Sequence, residues 1–232
     1  MTPRRRFQRA IFMVTLSLLL PVVTMATESH EPPFGLPMTG EPGPSTWFVT
    51  QWYGNTVPGA RNNRDLYAAG QGIHFGVDFA APCGTEVVAI GDGVVFAVDG
   101  PYGSPPHNLV LQHDNGYFSL YGHLQVRPSL QTGQFVGRGE PVGVVGDPAG
   151  ADCVRAPHLH LEIRTSGMSE AVNPVPLIDA DWRTLTAGAA IDNGGFAVDF
   201  EHPDRWQYIH DQPTIRFQGP ILNDYRHEWL VR

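Results

Sequence analysis

Two short stretches of the sequence concentrate side chains that can hold a metal ion and move a proton. In Pro157-His158-Leu159-His160-Leu161-Glu162-Ile163, polar and apolar residues alternate as in a strand. Side chains alternate along a strand, so His158 and His160 project from one face, about 7 Å apart at ~3.3 Å rise per residue. One imidazole can then bind a metal while the other acts on what the metal binds. A strand that simply turns two polar groups outward has the same pattern. The second stretch is His74-Phe75-Gly76-Val77-Asp78. On a straight strand its two polar ends would lie about 13 Å apart, near the limit for sharing one ion. A helix would bring them together, but Gly72 to Phe79 is Gly-broken and rich in β-branched and aromatic residues, which disfavours one. A bend or bulge near Gly76 would close the gap; failing that, Asp78 reads as a turn cap.

His123, after Tyr121-Gly122, stands at the end of a strand and taken alone reads as a surface histidine. His30, His107, His113, His202, His210 and His227 carry no spacing signal and are expected to be structural or solvated.

The elements that must position these residues are short. Glu86–Ile90, Gly93–Val98, Asn108–Gln112, Tyr117–Tyr121, Gln134–Val136, Pro141–Val145 and Leu159–Ile163 are apolar runs of strand length, separated by Gly, Pro and Asp-Gly pairs. Asp114-Asn115-Gly116, between two of the runs, is a tight-hairpin signal because such turns need positive φ at their centre. The expected class is therefore all-β and mainly antiparallel.

Both ends differ from this middle. Residues 1–26 resemble an export signal: Arg4, Arg5, Arg6 and Arg9, an apolar run from Ala10 to Val23, then Thr24-Met25-Ala26. The run is shorter than the ~20 residues a membrane span needs, and its arginine spacing fits either the twin-arginine or the general secretory route. Residues 27–46 hold five prolines and read as an exposed linker. The main domain is expected over 47–178. Residues 179–232, with eight aromatics, are too aromatic for a disordered tail and should fold against it, with strands around Gly195–Phe200 and Tyr208–Phe217.

All fifteen Lys+Arg residues are arginine, and the formal charge is −8. Without the first 26 residues, eleven arginines face 23 acids, a formal −12. Nucleic acid is a poor partner for such a surface, because phosphate neutralisation dominates that affinity. With no lysine, Schiff-base chemistry, a P-loop and a biotinyl or lipoyl carrier are excluded.

Taken in order, His74-x-x-x-Asp78, Gly84-Thr85-Glu86-Val87, Gly91-Asp92-Gly93-Val94-Val95, Tyr121-Gly122-His123-Leu124, Gly133-Gln134-x-Val136-x-x-Gly139, Val145-Gly146 and Pro157-His158-Leu159-His160-Leu161-Glu162 resemble the lysostaphin-type (LytM-like) zinc endopeptidases of peptidoglycan. The likeness runs from about Gln71 to Pro174. It implies a β-sandwich or barrel-like catalytic domain, with His74, Asp78 and His160 as zinc ligands and a fourth position left for water, as in catalytic sites. It further implies His123 and His158 as general base and as donor to the oxyanion or leaving amine, in either order, and Tyr67 as a weaker match to a stabilising tyrosine. The substrate would be peptidoglycan peptide, and the location periplasm, envelope or exterior.

The loop Asp147–Pro157 departs from the family pattern, which puts substrate choice in doubt. Its Cys153 and Cys83 are the only cysteines. Export favours a disulfide between them; two buried thiols and metal ligation are the alternatives. Among other functions, a catalytically inactive LytM-like protein that activates another wall hydrolase would have lost ligands, whereas here all three positions are filled. A phosphohistidine module of similar glycine punctuation belongs in the cytoplasm and conflicts with the signal.

Overall fold

The computed structural model describes residues 31–186 and 195–225, all within one compact unit, Glu31–Arg232. The export segment 1–26, the first residues of the linker, His227 and Trp229 lie outside the described residues. Among the described residues no helix is long and apolar enough to cross a membrane.

The seven expected runs form strands with small shifts at their ends, and four more strands join them. In chain order they are β1 (Phe48–Gln51), β2 (Val77–Ala80), β3 (Glu86–Val88), β4 (Gly93–Val98), β5 (His107–Gln112), β6 (Phe118–Leu124), β7 (Phe135–Val136), β8 (Pro141–Val144), β9 (His158–Thr165), β10 (Glu170–Val172) and β11 (Ile215–Arg216), of which β1, β2, β10 and β11 are the additional ones. Nine of them build one sheet in the order β1-β2-β9-β6-β5-β4-β7, with β10 on β9 and β11 on β10, while β3 and β8 form a small second sheet. Every pairing between these strands is antiparallel. The β5–β6 hairpin turns at the expected place, with Gly116 at φ +85° and the Gly116 amide donating to the His113 carbonyl.

Alternation decides which side of the large sheet is core. Leu159, Leu161 and Ile163 of β9, Leu109 and Leu111 of β5 and Tyr121 of β6 face inward with Val87 and Val142 of the small sheet, in one buried cluster. Each such large side chain contributes roughly 1.5–3 kcal/mol by leaving water. The other face of β9 therefore carries His158, His160, Glu162 and Arg164, and register fixes their neighbours: His158 opposite Ala80, and His160 between Asp78 of β2 and Gly122 of β6.

Two expectations about the flanks are corrected. The proline-rich segment before β1 is not an exposed stalk over its described part, because Phe34 and Met38 are buried at 1% and 5% exposure. Its backbone is tied at Gly35 to Ile90 and at Pro37 to Val88, so the prolines shape an extended strap whose two apolar side chains fill the core. In the C-terminal segment, strands at 195–200 and 208–217 shrink to an isolated bridge at Phe196 and the two-residue β11. Asp199 and Asp211 accept amide hydrogen bonds from following or preceding residues and fold these stretches into turns instead. The segment does pack on the domain. Gln212 accepts from the Asn55 amide, Asn223 donates to Asn55 and to the Gly72 carbonyl, and Tyr53 donates to Pro213 and Ala171.

Candidate metal centre

His74 is placed by the segment before β2 rather than by the strand itself. Its backbone bridges Gly54, and the chain bends at Gly76 before β2 begins at Val77. The bend lets a residue four positions before Asp78 face it, with His74 Nε2 3.3 Å from Asp78 Oδ1. A side chain at Gly76 is sterically excluded, since a Cβ there would lie 2.6 Å from the His160 ring. His160 Nδ1 is 2.7 Å from the same Asp78 oxygen and 3.2 Å from His74 Nε2. All three residues are buried, and among the described residues they are the one group of His, Cys, Asp and Glu able to share an ion.

Hydrogen bonds at the far ring atoms decide which lone pairs face inward. His74 Nδ1 donates to the Trp52 carbonyl at 2.6 Å, which leaves Nε2 free to ligate. His160 turns Nε2 toward Glu162 Oε1 at 3.3 Å, close but not aligned as a hydrogen bond, and so turns Nδ1 to the centre. Glu162 is wholly buried and gripped by Arg164 through two contacts of 2.7 and 3.0 Å. Arg164 in turn donates to the Tyr102 carbonyl and stacks 4.1 Å from the Phe217 ring. Two nitrogens and a carboxylate oxygen at 2.7–3.3 Å separations approximate the edges of a tetrahedron with ~2.1 Å bonds. The donor set fits Zn2+ with room for a further ligand.

The charges respond as such packing requires. Burial alone would raise the Asp78 carboxyl, but the surrounding His74, His158 and His160 hold it well below the usual range. Burial pulls His160 down, and the hydrogen bond to Asp78 with the charges of Asp78 and Glu162 outweigh it and lift the ring to about 9. Burial likewise opposes ionisation of Glu162, and Arg164 and His160 reverse it.

His158 and His123 stand over this cluster with their rings 4.7 Å apart. His158 Nε2 lies 3.8 Å from Asp78 Oδ2, and its Nδ1 donates to the Ala156 carbonyl. His123 Nδ1 donates to the Pro105 carbonyl. In the neutral form of either ring, that donation leaves the Nε2 lone pair free. Burial, then the neighbouring His160 and His158, press His123 down to about 4, so it is neutral near pH 7. His123 also sits at φ +59°, a left-handed backbone held by the Ser104 carbonyl on one side and the Gly146 amide on the other; a non-glycine residue there costs about 1–2 kcal/mol.

Tyr67 packs edge-on against the His74 ring at 5.5 Å, while its hydroxyl exchanges hydrogen bonds with the Gln51 amide. Burial and the Asp78 charge push its phenol to about 12, so it remains a donor. All six residues singled out in the sequence thus come together. The supporting partners were not assigned in advance: Glu162 and Arg164 lie on the His158–His160 face by simple alternation, which gave a signal, whereas Trp52 and Pro105 act through carbonyls and gave none.

Cys83 and Cys153 form a disulfide with Cα atoms 5.9 Å apart, which ties the loop after β2 to the loop before β9 and takes both sulfurs out of contention as ligands.

Residues 72–174, a little under half of the chain, match the model described as Peptidase family M23. A curated relative, the peptidoglycan DD-endopeptidase ShyC of Vibrio cholerae, is 38% identical over 117 residues, 50% of this chain and 25% of its own length. The DD-carboxypeptidase/endopeptidase Mpg of Neisseria meningitidis serogroup B is 39% identical over 44% of this chain and 22% of its own. The chain thus matches about a quarter of the length of these relatives. Among solved structures, the catalytic domain of the prophage-encoded M23 protein EnpA from Enterococcus faecalis is 28% identical, covering 60% of this chain and 95% of that one, with a TM-score of 0.45.

Proposed function

We propose that the protein is an exported zinc-dependent endopeptidase that hydrolyses cross-links or stem peptides of peptidoglycan. The observation that carries this reading is the convergence of His74 Nε2, Asp78 Oδ1 and His160 Nδ1 under two histidines with free Nε2 atoms. His74, Asp78 and His160 would hold the ion, and Zn2+ there supplies Lewis-acid activation of water and of a carbonyl. His158 and His123 then divide the proton work: one takes the proton from the attacking water, the other donates to the oxyanion or the leaving amine. Tyr67, exchanging its Gln51 bond for the substrate carbonyl, adds a donor that stays protonated. The names of the relatives supply the substrate class, and the disulfide supports an oxidising compartment outside the cytoplasm. The filled ligand set speaks against a purely activating, non-catalytic role.

The test is zinc and activity on the same preparation. The parent should contain about one zinc per chain and release new peptide ends from peptidoglycan, read by mass spectrometry of the fragments; His160→Ala should lose both. A zinc-free parent with a fully active His160→Ala would overturn the reading.

A further inference from the structure

A groove of about 490 Å³ opens beside the centre, with Phe48 and Thr50 of β1, Ala80 of β2, Pro82, Arg155 and His158 among its lining residues. Strand register fixes its position. Phe48, Ala80 and His158 form one row across β1, β2 and β9, and Asp78 and His160 form the row two residues along. Two rows of a sheet are about 7 Å apart, the span of about two residues of extended peptide. A peptide lying over the centre and along this groove therefore places in it residues within about two of the scissile bond.

Arg155 is the one permanently charged side chain among the residues lining the groove. It is presented rather than loose. Asp147 accepts the amides of Ala149, Arg155 and Ala156, which folds the loop, and Cys153 ties the loop to Cys83. One guanidinium nitrogen donates to the Ala149 carbonyl at 3.0 Å, and among the described residues no carboxylate pairs with the group. The remaining donors of the planar fork are open to an acceptor of matching shape. Phe48, Ala80 and Pro82 supply an otherwise apolar wall.

We propose that Arg155 is a specificity residue that receives a free carboxylate of the substrate peptide, within about two residues of the bond cleaved. The proposal rests on the endopeptidase reading and names which peptides that site prefers: those with an ionised carboxyl at this position over those in which it is a carboxamide. The ligand fits the charge, because among the described residues no carboxylate forms an ion pair with this cation, and it fits the volume, which lies in the range of small-ligand sites.

The experiment uses the zinc-loaded protein and soluble cross-linked peptides in which each free carboxyl is amidated in turn. One amidation near the scissile bond should lower kcat/KM of the parent by about tenfold, the scale of one charge-assisted hydrogen bond. In Arg155→Gln the acid and amide peptides should be cleaved at the same rate, and Arg155→Lys should keep part of the preference. Cleavage of the amide peptide by Arg155→Gln also reports that the variant is folded. A parent indifferent to every amidation, or an Arg155→Gln that keeps the tenfold preference, overturns the carboxylate site and leaves the endopeptidase reading standing. A parent that cleaves no cross-linked peptide overturns that reading, and the carboxylate site with it.

Discussion

Glu162 Oε1 approaches His160 Nε2 to 3.3 Å while both Glu162 oxygens are held by Arg164, so a buried ion pair backs the side of the imidazole away from Asp78. The pair fixes the ring with Nδ1 toward Asp78, and it places the carboxylate where it raises the basicity of that nitrogen. Glu162→Gln keeps the shape and removes the charge. Its zinc affinity, measured by competition with a chelator, should fall about 10- to 100-fold. It should also melt lower, because Arg164 is then left buried without its counter-charge. Unchanged affinity would show that Glu162 serves packing alone.

His123 and His158 are set up differently from the three residues proposed to hold the ion. Each spends its Nδ1 hydrogen on a backbone carbonyl, of Pro105 or Ala156, and each keeps Nε2 free above the cluster. Replacing either with alanine should reduce kcat by about 10²- to 10⁴-fold, the usual scale for a positioned acid or base. The zinc content should stay that of the parent, since neither belongs to the converging set. Loss of zinc in His158→Ala would instead make it a ligand.

How much of this was legible in the sequence follows from what each feature depends on. Period-two alternation placed His158 and His160 on one face, and nothing beyond local chemistry was needed to see it. The His74–Asp78 spacing was legible as a conflict with a straight strand, and the bend at Gly76 resolves that conflict in the way the glycine allowed. The strap around Phe34 was not legible: five prolines in twenty residues look like a linker whether or not two apolar side chains among them find a cavity. The same limit applies to Trp52 and Pro105, whose carbonyls select the tautomers of His74 and His123. Backbone groups carry no residue type, so only the folded chain shows where they point.

The Cys83–Cys153 bridge closes a loop of 70 residues that contains β3 to β8. Chain-entropy arithmetic for a loop of that length gives about 4 kcal/mol of stabilisation. Cys83→Ser/Cys153→Ser should therefore melt well below the oxidised parent, and a reductant should lower the melting temperature of the parent and leave the variant's unchanged. Because the loop that the bridge holds carries Arg155 and Ala156, activity should fall more steeply than zinc content. Two reactive thiols in the denatured, unreduced parent would contradict the bridge.

His113 lies away from the centre and gives the pH dependence that can be isolated. Its Nδ1 donates to the Asp92 carbonyl at 2.7 Å, so Nε2 carries the lone pair and accepts from Ser119 Oγ at 2.8 Å. Ser119 in turn meets the Tyr121 hydroxyl, which accepts the Ile90 amide. The chain of bonds runs one way, and a second ring proton would reverse it. Burial lowers the His113 pKa below 6.5 in spite of the Asp92 bond. The sign follows: as pH drops below 6.5 the unfolded chain takes up a proton that the folded chain refuses, so the unfolded state gains. Stability supplied by neutral His113 is thus complete above pH 6.5 and is lost as pH falls toward the lowered value. His113→Gln lacks this contribution, and the gap in melting temperature between parent and variant should narrow from pH 8 to pH 5. A gap that stays constant over that range would mean that His113 keeps its ordinary pKa in the folded chain.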